Sequence, residues 1–468
     1  MGLTYKGKRG QGKKGTDLIF RGRKSEKSDT TPQTWYNPDM GPRVKSTKNY
    51  QYKLLVAAVF AFALFMFCAD ADAATYYVRP DGHNGASGAN NNSNASTGAW
   101  LTLQHASDTV GPGDTVLVAD GTYAGFYVET SGTSGNPITF RALGTGSNIT
   151  SRNSRTTDNI NIESWESWMA DYITIDGFNV SGAARMGIRA IGGTGIVVKN
   201  NTVYNNGDCG IFTGGTPDFS AIDNVAYNNG STLFQHNIYI SNADSDNPIV
   251  RGNITYAAGG GNGVQLNGDW LEGGDGYIDN AIIEDNISYD NAAKGFSLIS
   301  VRNGIIRNNI TYDNGIPAGS AGGIHIVEQQ SSHYSSGNTV VNNTMDEPGV
   351  ACVRINALNT ANVVFNNICI GDRGIVFEGS GNFQSNNYSA SSAGSAVFVN
   401  AASHNYHLLS NSPAKDYGIA TYRSKSAPTV DFESAARPSG AGYDAGAYEY
   451  QEAGDITPPS APSGLRVL

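Results

Sequence analysis

The sequence predicts an all-β fold, a parallel β-helix in which short strands stack as the coils of a solenoid. The first reason is a motif that begins with asparagine and returns at low-twenties spacing, with longer gaps that we interpret as insertions. Its five clear and three degenerate copies begin at Asn201, Asn224, Asn253, Asn286, Asn309, Asn343, Asn367 and Asn387, at intervals of 23, 29, 33, 23, 34, 24 and 20 residues. The second reason is composition, because 58 glycines and only 15% charged residues suit a repeat protein with many turns.

A second short run follows most copies of the motif and predicts another strand in each coil. It begins at or near glycine and alternates apolar residues with other residues, the period-two pattern of a half-buried strand. Examples are Gly210-Ile-Phe-Thr213, Gly263-Val-Gln-Leu266, Gly295-Phe-Ser-Leu298, Gly323-Ile-His-Ile326 and Gly374-Ile-Val-Phe377. Each coil of roughly twenty-two residues therefore holds two or three strands.

The repeated asparagines have a physical role at the corners between strands. Asparagine tolerates the left-handed backbone conformation, and its amide can bond its own backbone or the asparagine of the next coil in a ladder. Asn253, Asn286 and Asn309 also begin Asn-x-Thr/Ser sequences, the local pattern of a glycosylation acceptor. Because the repeat generates that pattern by itself, we expect these asparagines to be structural.

Charge divides the chain near Lys53. Residues 1–53 hold 13 Lys and Arg against 4 Asp and Glu, about +9, whereas the remainder holds 18 against 37, about −19. Residues 54–67 are fourteen consecutive apolar residues, and the small-residue sequence Ala71-Asp-Ala73 follows. This layout predicts a basic leader at 1–53, for which Met40 is an alternative start, and a signal peptide at 54–73 that is cleaved after Ala73. We expect a secreted or cell-surface protein; the alternative is a retained anchor with a basic cytoplasmic tail.

Residues 74–150 are predicted to form an N-terminal cap and the first coils. The segment from Trp100 to Val110 has apolar side chains at helical spacing and ends before Gly-Pro-Gly at 111–113, which predicts an amphipathic helix. A solenoid needs its open end covered, so we expect this helix to cap the first coil.

Several segments of the chain resemble a known family. The cap-like segments are Tyr76-Tyr-Val-Arg-Pro-Asp-Gly82, Trp100-Leu-Thr-Leu-Gln104, Pro112-Gly-Asp-Thr-Val116, Gly121-Thr-Tyr123 and Gly135-Asn-Pro-Ile-Thr139, and Tyr172-Ile-Thr-Ile-Asp-Gly-Phe178 is similar to an entry into the coils. Tyr406-His-Leu-Leu409, Ser412-Pro-Ala414 and Asp444-Ala-Gly-Ala-Tyr-Glu449 resemble a closing segment. Together they resemble right-handed parallel β-helix proteins of the pectate-lyase type, which include polysaccharide lyases and secreted bacterial relatives without a known activity.

This resemblance implies a right-handed solenoid with repeats over 151–400 and a closing segment over 401–450. The remaining residues, 451–468, form a Pro/Ser linker that resembles the opening strand of a fibronectin type III module. Signal removal would leave Cys209, Cys352 and Cys369, an odd and widely spaced set that does not indicate a disulfide framework or a zinc site. We expect these cysteines to be buried thiols.

Residues that point away from the interior are the candidates for a functional site. With coils about 4.8 Å apart, the middle residues of the second strands form one column, Arg189, Phe212, Tyr239, Gln265, Ser297, His325, Arg354 and Val376, and a neighbouring column contains Ser241, Asn267, Asn356 and Glu378. Insertions at 267–280, with Trp270, and at 328–337, with His333, would wall a groove over them. The predicted sugar-binding residues are Gln265, Asn267, Trp270, Arg189 and Asn356.

The resemblance implies that the groove cleaves uronate polysaccharides by β-elimination. In that reaction a base removes the proton next to the carboxylate while a cation stabilises the enolate. His325 or Tyr239 would transfer protons and Arg354 would pair with the carboxylate, although Tyr239 would lie roughly 14 Å from His325. Some family members use a lysine base beside bound calcium; Lys294 is the best-placed match and Lys199 the second.

Two other functions compete with the lyase. Glycoside hydrolysis needs two carboxylates that face one bond, and the columns offer only Glu378. A non-catalytic surface or adhesion module would use the same groove only to hold a glycan. We rank the lyase first and expect the partner to be a polysaccharide.

Charged residues suggest three further expectations. Lys199, Arg251, Glu284 and Arg307 lie two positions before corner asparagines and predict a charge-balanced ladder between coils. Asp244 and Asp246 lie in an oxygen-rich segment, so Ca²⁺ is the candidate cofactor.

No basic stripe remains after signal removal, which argues against nucleic acid as a partner. We expect a monomer that meets a membrane only through its signal or anchor segment.

Overall fold

The computed structural model describes residues 73–451 except 164–168, 243, 273, 316–321 and 393–396. The chain separates into two compact units, Met1–Asp70 and Ala71–Leu468, and the described residues all belong to the second. The predicted leader, nearly all of the signal segment and the C-terminal linker from residue 452 lie outside the described residues. Within the described part, no helix is long and apolar enough to cross a membrane.

Three long parallel sheets form the faces of a β-helix, and successive strands of each sheet come from successive coils. The strands of the first sheet are Thr75–Val78, Thr115–Val118, Ile138–Ala142, Ile173–Asp176, Val197–Lys199, Ser220–Ile222, Ile249–Arg251, Ile282–Glu284, Ile305–Arg307, Thr339–Val341, Val363–Phe365 and Phe383–Ser385. The strands of the second sheet are Gly121–Ala124, Ser147–Ser151, Asn179–Ser181, Thr202–Tyr204, Val225–Tyr227, Ile254–Tyr256, Ile287–Tyr289, Ile310–Tyr312, Thr344–Asp346, Ile368–Ile370 and Tyr388–Ala390. The strands of the third sheet are Phe126–Val128, Ile160–Ile162, Ile188–Ile191, Ile211–Gly214, Ile238–Ser241, Val264–Asn267, Phe296–Ile299, Ile324–Val327, Val353–Ile355 and Ile375–Phe377.

Each coil runs through the first, second and third sheets in that order, so the prediction of a stacked all-β solenoid is confirmed. Three small strand pairs lie outside the long sheets: Ile278–Asp279 with Val301–Arg302 in parallel, and Phe398–Asn400 with Asn405–Leu408 and Thr421–Tyr422 with Lys425–Ser426 in antiparallel pairing. Short 3₁₀ helices span Trp270–Glu272 and Ala401–Ser403.

Columns of aliphatic side chains fill the interior and fix the register. One inward column on the third sheet contains Ile188, Ile211, Ile238, Val264, Phe296, Ile324 and Val353, each at most 1% exposed. Burying a side chain of this size stabilises the fold by about 1.5–3 kcal/mol, and a slip of one residue would turn every such side chain outward. The core therefore brings residues that are 23 to 32 positions apart in this column onto neighbouring coils.

The predicted asparagine ladder is present at the corner between the first and second sheets. Each ladder amide donates through Nδ2 to Oδ1 of the next asparagine at 2.9–3.1 Å, from Asn201 through to Asn387. The left-handed residue is the one before each ladder asparagine, for example Asn200, rather than the ladder asparagine itself, so that part of the prediction was wrong. The amides of Asn253, Asn286 and Asn309 are buried and bonded, which leaves no accessible acceptor for glycosylation.

A second polar ladder, which the sequence analysis missed, lies at the corner between the second and third sheets. It runs through Asn206, Asn229, Asn237, Asn291, Asn314 and Glu347, with side-chain donor–acceptor distances of 2.9–3.2 Å. Glu347 is fully buried, and this burial raises its pKa to about 8. The ladder thus ends on a carboxyl group that holds its proton at neutral pH.

The N-terminal cap contains a shorter helix than the sequence predicts. The helix spans only Leu103–Ser107, because Thr102 caps its start by accepting the N–H of His105 and the chain turns away after Asp108. Leu103 and Ala106 are buried in the core of the first coils. The predicted capping role is therefore carried by five residues rather than eleven.

The cysteine prediction was wrong for two of the three residues. Cys352 and Cys369 form a disulfide, whereas Cys209 is a buried free thiol. Cys352 precedes a strand of the third sheet, and Cys369 lies in the second sheet one coil later, opposite Met345. Stacking brings the two sulfurs together inside the solenoid, which the 17-residue separation alone did not indicate.

The predicted charge ladder lies on the first sheet. Glu284 bonds Arg251 at 2.5 Å and Arg307 at 2.6 Å, and Lys199 lies 3.7 Å from Asp176. Lys199 is therefore engaged on a different face from the third-sheet column. As the second-choice base, it is excluded from the candidate site.

Outward tyrosines of the second sheet stack face to face and meet the closing segment. The rings of Tyr204, Tyr227, Tyr256, Tyr289 and Tyr312 follow one another at 4.7–5.1 Å. His404, in the closing segment, continues the stack 4.0 Å from Tyr312. The closing segment thus docks on the second sheet and leaves the third sheet as the face for a groove.

Candidate functional site

The predicted column of outward residues on the third sheet is present in full register. Its members are Cα partners in consecutive strands: Arg189, Phe212, Tyr239, Gln265, Ser297, His325, Arg354 and Val376. His325 and Arg354 are direct neighbours, and Tyr239 lies three rungs from His325, as expected. The stacking of coils aligns in one column residues that are spread over nearly 190 positions of the sequence.

The middle of this column does not face open solvent as expected. Gln265, Ser297 and His325 are only 9%, 1% and 8% exposed. Neighbouring amides lie over two of them: Asn262 donates to Gln265 Oε1 at 2.7 Å, and Asn356 Oδ1 lies 2.8 Å from His325 Nε2. The predicted binding residues Gln265 and Asn356 therefore hold the floor together in this state.

Lys294 provides the reactive group that is best placed on the floor. It lies two residues before the strand Phe296–Ile299, and its backbone N–H donates to Asn262 Oδ1 at 3.1 Å. Its side chain is partly exposed, and burial together with the positive charge of Arg354 lowers its pKa. No described carboxylate contributes to that pKa. A larger fraction of neutral amine is therefore available at a given pH than for an ordinary lysine.

His325 is poorly placed to contact a polymer directly. Its Nε2 faces the Asn356 amide oxygen, which makes Nε2 the protonated nitrogen, and its Nδ1 is buried without a hydrogen-bond partner among the described residues. Burial, with smaller effects from the charges of Lys294 and Arg354, lowers its pKa to about 4. His325 is therefore neutral at pH 7, and as a buried residue bonded to Asn356 it has a structural role at the site.

His236 lies in the same row as Lys294 but was not among the predicted site residues. In this row, side chains accept backbone N–H groups from the next coil: Cys209 Sγ from His236 at 3.3 Å, and His236 Nδ1 from Asn262 at 3.0 Å. His236 is fully buried, and this burial, together with the charge of Lys294, lowers its pKa to about 3. Its position two residues before a strand, like that of Lys294, is the signal that could have found it.

Tyr239 occupies the floor beside His236, apart from His325. Its hydroxyl oxygen accepts a hydrogen bond from Asn267 at 3.2 Å, and its ring meets those of His236 and Phe212 edge-on, with centroids 4.9 Å and 5.4 Å away. Asn267 begins the first predicted insertion, so this bond ties the floor to the groove wall. Tyr239 and Lys294 are two rungs apart, about 10 Å.

Comparison with known proteins establishes the fold. A family model described as "Right handed beta helix region" matches residues 160–345. The chain forms a right-handed parallel β-helix. The solved structures similar to this β-helix include a rhamnogalacturonan lyase (15% identity, TM-score 0.50, covering 73% of this chain and 96% of that one) and a glycoside hydrolase (9%, 0.52, 68% and 97%). A pectate lyase, Pel9A, is also similar (16%, 0.48, 81% and 96%). No curated protein sequence matches the chain.

The rhamnogalacturonan lyase and the glycoside hydrolase differ in their chemistry, so the likeness establishes the fold of this β-helix and leaves its chemistry to its own residues. Arg354 forms an ion pair with Glu378, to which its Nε donates at 2.8 Å. Arg189 likewise pairs with Glu163. Glu378, the one carboxylate that the sequence offered for hydrolysis, is therefore already bound by an arginine.

The two predicted insertions of the β-helix meet and form one wall of the groove. The Trp270 ring stacks on His333 with centroids 5.6 Å apart and planes 13° apart, and Tyr277 donates to the carbonyl of Ser332 at 2.9 Å. Trp270 remains 38% exposed. The wall thus carries a partly exposed aromatic ring, and its contact with a sugar stays a prediction.

The proposed calcium ligands do not form a ligand set in the structure. Asp244 is exposed, whereas Asp246 Oδ1 accepts the N–H of Asp279 at 2.7 Å and holds the end of the insertion. Among the described residues, no group of three or more His, Cys, Asp or Glu side chains could hold a metal ion. We therefore derive no step through calcium, and its binding stays a prediction.

Proposed function

We propose that this β-helix is a polysaccharide lyase that cleaves a uronate-containing polysaccharide by β-elimination. The observation that carries the proposal is Lys294, a partly exposed amine with a lowered pKa that lies two residues before a strand of the third sheet. A general base works best when its pKa lies near the operating pH. Burial and the positive charge of Arg354 lower the pKa of Lys294, and so bring it closer to neutral pH.

In this reaction Lys294 removes the proton on the carbon next to the uronate carboxylate. The electron pair of that C–H bond forms a carbon–carbon double bond, and the glycosidic C–O bond one carbon further on breaks. The departing oxygen takes a proton from water or from the Lys294 ammonium. Arg354 lies two rungs from the coil of Lys294, where its guanidinium, shared with Glu378, can donate hydrogen bonds to the carboxylate and to the enolate that forms from it.

The test is the appearance of an unsaturated uronate. The purified chain is incubated with pectate, alginate and glycosaminoglycans, with and without Ca²⁺, and the absorbance of the new double bond is followed. We expect at least one polymer to give a rise that Lys294→Ala abolishes and Lys199→Ala leaves unchanged. Lys199 is the matched control because it is a lysine on the first sheet, paired with Asp176. A rise that survives Lys294→Ala would remove this residue from the mechanism.

A non-catalytic glycan-binding module is the second candidate, and the stacked Trp270–His333 wall favours it. Exposed aromatic rings offer broad apolar contact to sugar rings with little loss of side-chain freedom. Binding on a glycan array without an unsaturated product from any of the polymers would support this candidate over the lyase.

We also propose that the chain is exported. The Cys352–Cys369 disulfide supports this, because disulfides persist in oxidising compartments and are rare in the cytosol. N-terminal sequencing of the protein recovered from the culture medium should begin at Ala74. Recovery only in a membrane fraction, with residues 54–73 retained, would favour the anchored alternative.

A further inference from the structure

Arginines along the third sheet are paired with carboxylates, so they add little net charge to the groove. The pairs join side chains of the same or successive coils: Arg155 with Glu129, Arg185 with Asp158, Arg189 with Glu163, and Arg354 with Glu378. Each pair leaves that part of the groove close to neutral.

Lys294 differs from these arginines. Only burial and the charge of Arg354 act on its pKa, and no carboxylate of a described residue is among the causes. One other exposed cation, Arg373, lies three rungs further along the same row, directly after Asp372. In its protonated form Lys294 therefore gives the described part of the groove an uncompensated positive charge at one rung, and only its neutral form acts as the base. The neighbouring residues Asp372 and Arg373, which are oppositely charged, lie about 14 Å away.

The floor on the N-terminal side of Lys294 is uncharged and aromatic. Tyr239 and Phe212 lie two and three rungs from the coil of Lys294, both half-buried, with ring centroids 5.4 Å apart. Beyond them the Arg189–Glu163 pair is neutral overall. A carboxylate placed against these rings would lose water without gaining a cation, which is unfavourable.

We propose that the substrate is a heteropolysaccharide in which neutral sugars separate the uronates. This inference rests on the proposed function. The uronate lies at Lys294, and the neutral sugars lie on Tyr239 and Phe212. A homopolymer of uronate would bring a carboxylate to every sugar position, whereas the groove compensates only one, in a chain with a net charge of −10.

The test compares polymers that differ in charge spacing. The full chain is assayed on polygalacturonate and polymannuronate, which carry a carboxylate on every sugar, and on a rhamnogalacturonan backbone and hyaluronan, in which uronates alternate with uncharged sugars. We expect kcat/KM to be at least about tenfold higher on an alternating polymer. Equal or faster cleavage of the homopolymers would overturn the inference and leave β-elimination standing.

Binding of the Lys294→Arg chain to the same four polymers separates the two proposals. The guanidinium keeps the positive charge of this rung but cannot act as a base, so binding reports the charge spacing that the groove accepts, whatever the reaction. If wild type forms no unsaturated product on any polymer but the variant still prefers an alternating polymer, the lyase proposal fails and the preference for spaced charges holds. Preference for a homopolymer in binding would overturn the inference.

A gain-of-charge variant makes the test sharper. Glu163→Gln removes the partner of Arg189 and gives the neutral end of the groove a positive charge. We expect several-fold higher kcat/KM on the homopolymers, with little change on the alternating ones. Glu284→Gln, which releases Arg251 and Arg307 on the first sheet, is the matched control and should change neither.

A second variant covers the case in which Glu163→Gln fails to fold. Phe212→Lys places a cation on the aromatic floor itself, at a half-buried outward position. Phe212→Lys should also raise kcat/KM on the homopolymers relative to the alternating polymers. An unchanged preference in both folded variants would contradict the assignment of Phe212 and Tyr239 to neutral sugars.

Discussion

The positive charge of Arg354 lowers the pKa of the Lys294 amine from two coils away. The two residues are 60 positions apart in sequence, and the stacking of coils brings their charges close. Because like charges disfavour each other's charged form, the arginine helps to keep the lysine amine available as a base. This relationship can be tested apart from substrate binding.

Replacing Arg354 with glutamine should raise the pKa of Lys294. The acidic limb of the pH–rate profile should then move to higher pH, because a smaller fraction of the amine is neutral at a given pH. Labelling Lys294 with an amine-specific reagent across a pH series, read by mass spectrometry, measures the shift without any substrate. Arg189→Gln, four rungs from the coil of Lys294, is the control; an equal shift in both variants would contradict a local effect.

Replacing Trp270 with alanine should weaken polymer binding. Loss of the exposed ring costs about 0.5–1.5 kcal/mol, so KM should rise about two- to tenfold while kcat stays close to wild type. Leu271→Ala is a matched control from the same short helix, because Leu271 is 69% exposed and carries no aromatic ring. A fall in kcat with unchanged KM would show that the wall has a different role.

Replacing Glu347 with glutamine should remove a pH dependence of stability. In the folded chain Glu347 keeps its proton up to pH about 8, whereas in an unfolded chain it releases the proton near its ordinary pKa of 4.5. The free energy of unfolding of wild type should therefore fall as the pH rises from 4.5 to 8. Glutamine carries no such proton and can accept from Asn314 through one oxygen, as the ladder asparagines do.

The difference between wild type and the glutamine variant in denaturant melts, measured at pH 5 and pH 8, isolates this group from others with raised pKa values, such as Asp285 and Glu449. We expect the variant to gain relative stability at pH 8. A difference that does not change with pH would show that Glu347 is ionised in the folded chain.

Reducing the Cys352–Cys369 disulfide should destabilise the C-terminal coils. A loop of this length contributes roughly 3 kcal/mol through the entropy of the unfolded chain. Calorimetry of oxidised and reduced protein should show a lower Tm for the reduced form. Thiol labelling of the chain from Ala74 in denaturant should modify one cysteine, Cys209, before reduction and three afterwards; three labelled thiols without reductant would mean that the bond does not form.

Much of the fold could be predicted from the sequence because the repeat carries its own register. The spacing of the motif placed His325 beside Arg354 and Tyr239 three rungs away, and the structure confirms both. The ladder through Asn253 and the charge ladder through Glu284 were predicted for the same reason. A regular period converts distance along the chain directly into position on a face.

The site was harder to predict because side-chain packing between coils has no period. The burial of His325 depends on Asn356 from the next coil, and the neutralisation of Arg189 depends on Glu163 from the previous one. His236 lies outside the Asn and Gly motifs, so its position two residues before the strand Ile238–Ser241 was the one signal that could have separated it from a loop residue. Insertions of different length change which side chains meet at each rung.

The repeat pattern is sufficient to specify the architecture of this protein, because short alternating strands, asparagine corners and a recurrent period define stacked coils and the order of residues along each face. Which of those residues are charged, accessible and unpaired follows from the packing of the folded chain. The reason is that a column of side chains is fixed by backbone hydrogen bonds between coils, whereas burial, ion pairs such as Arg354–Glu378 and the Cys352–Cys369 bond depend on neighbours that the repeat does not encode.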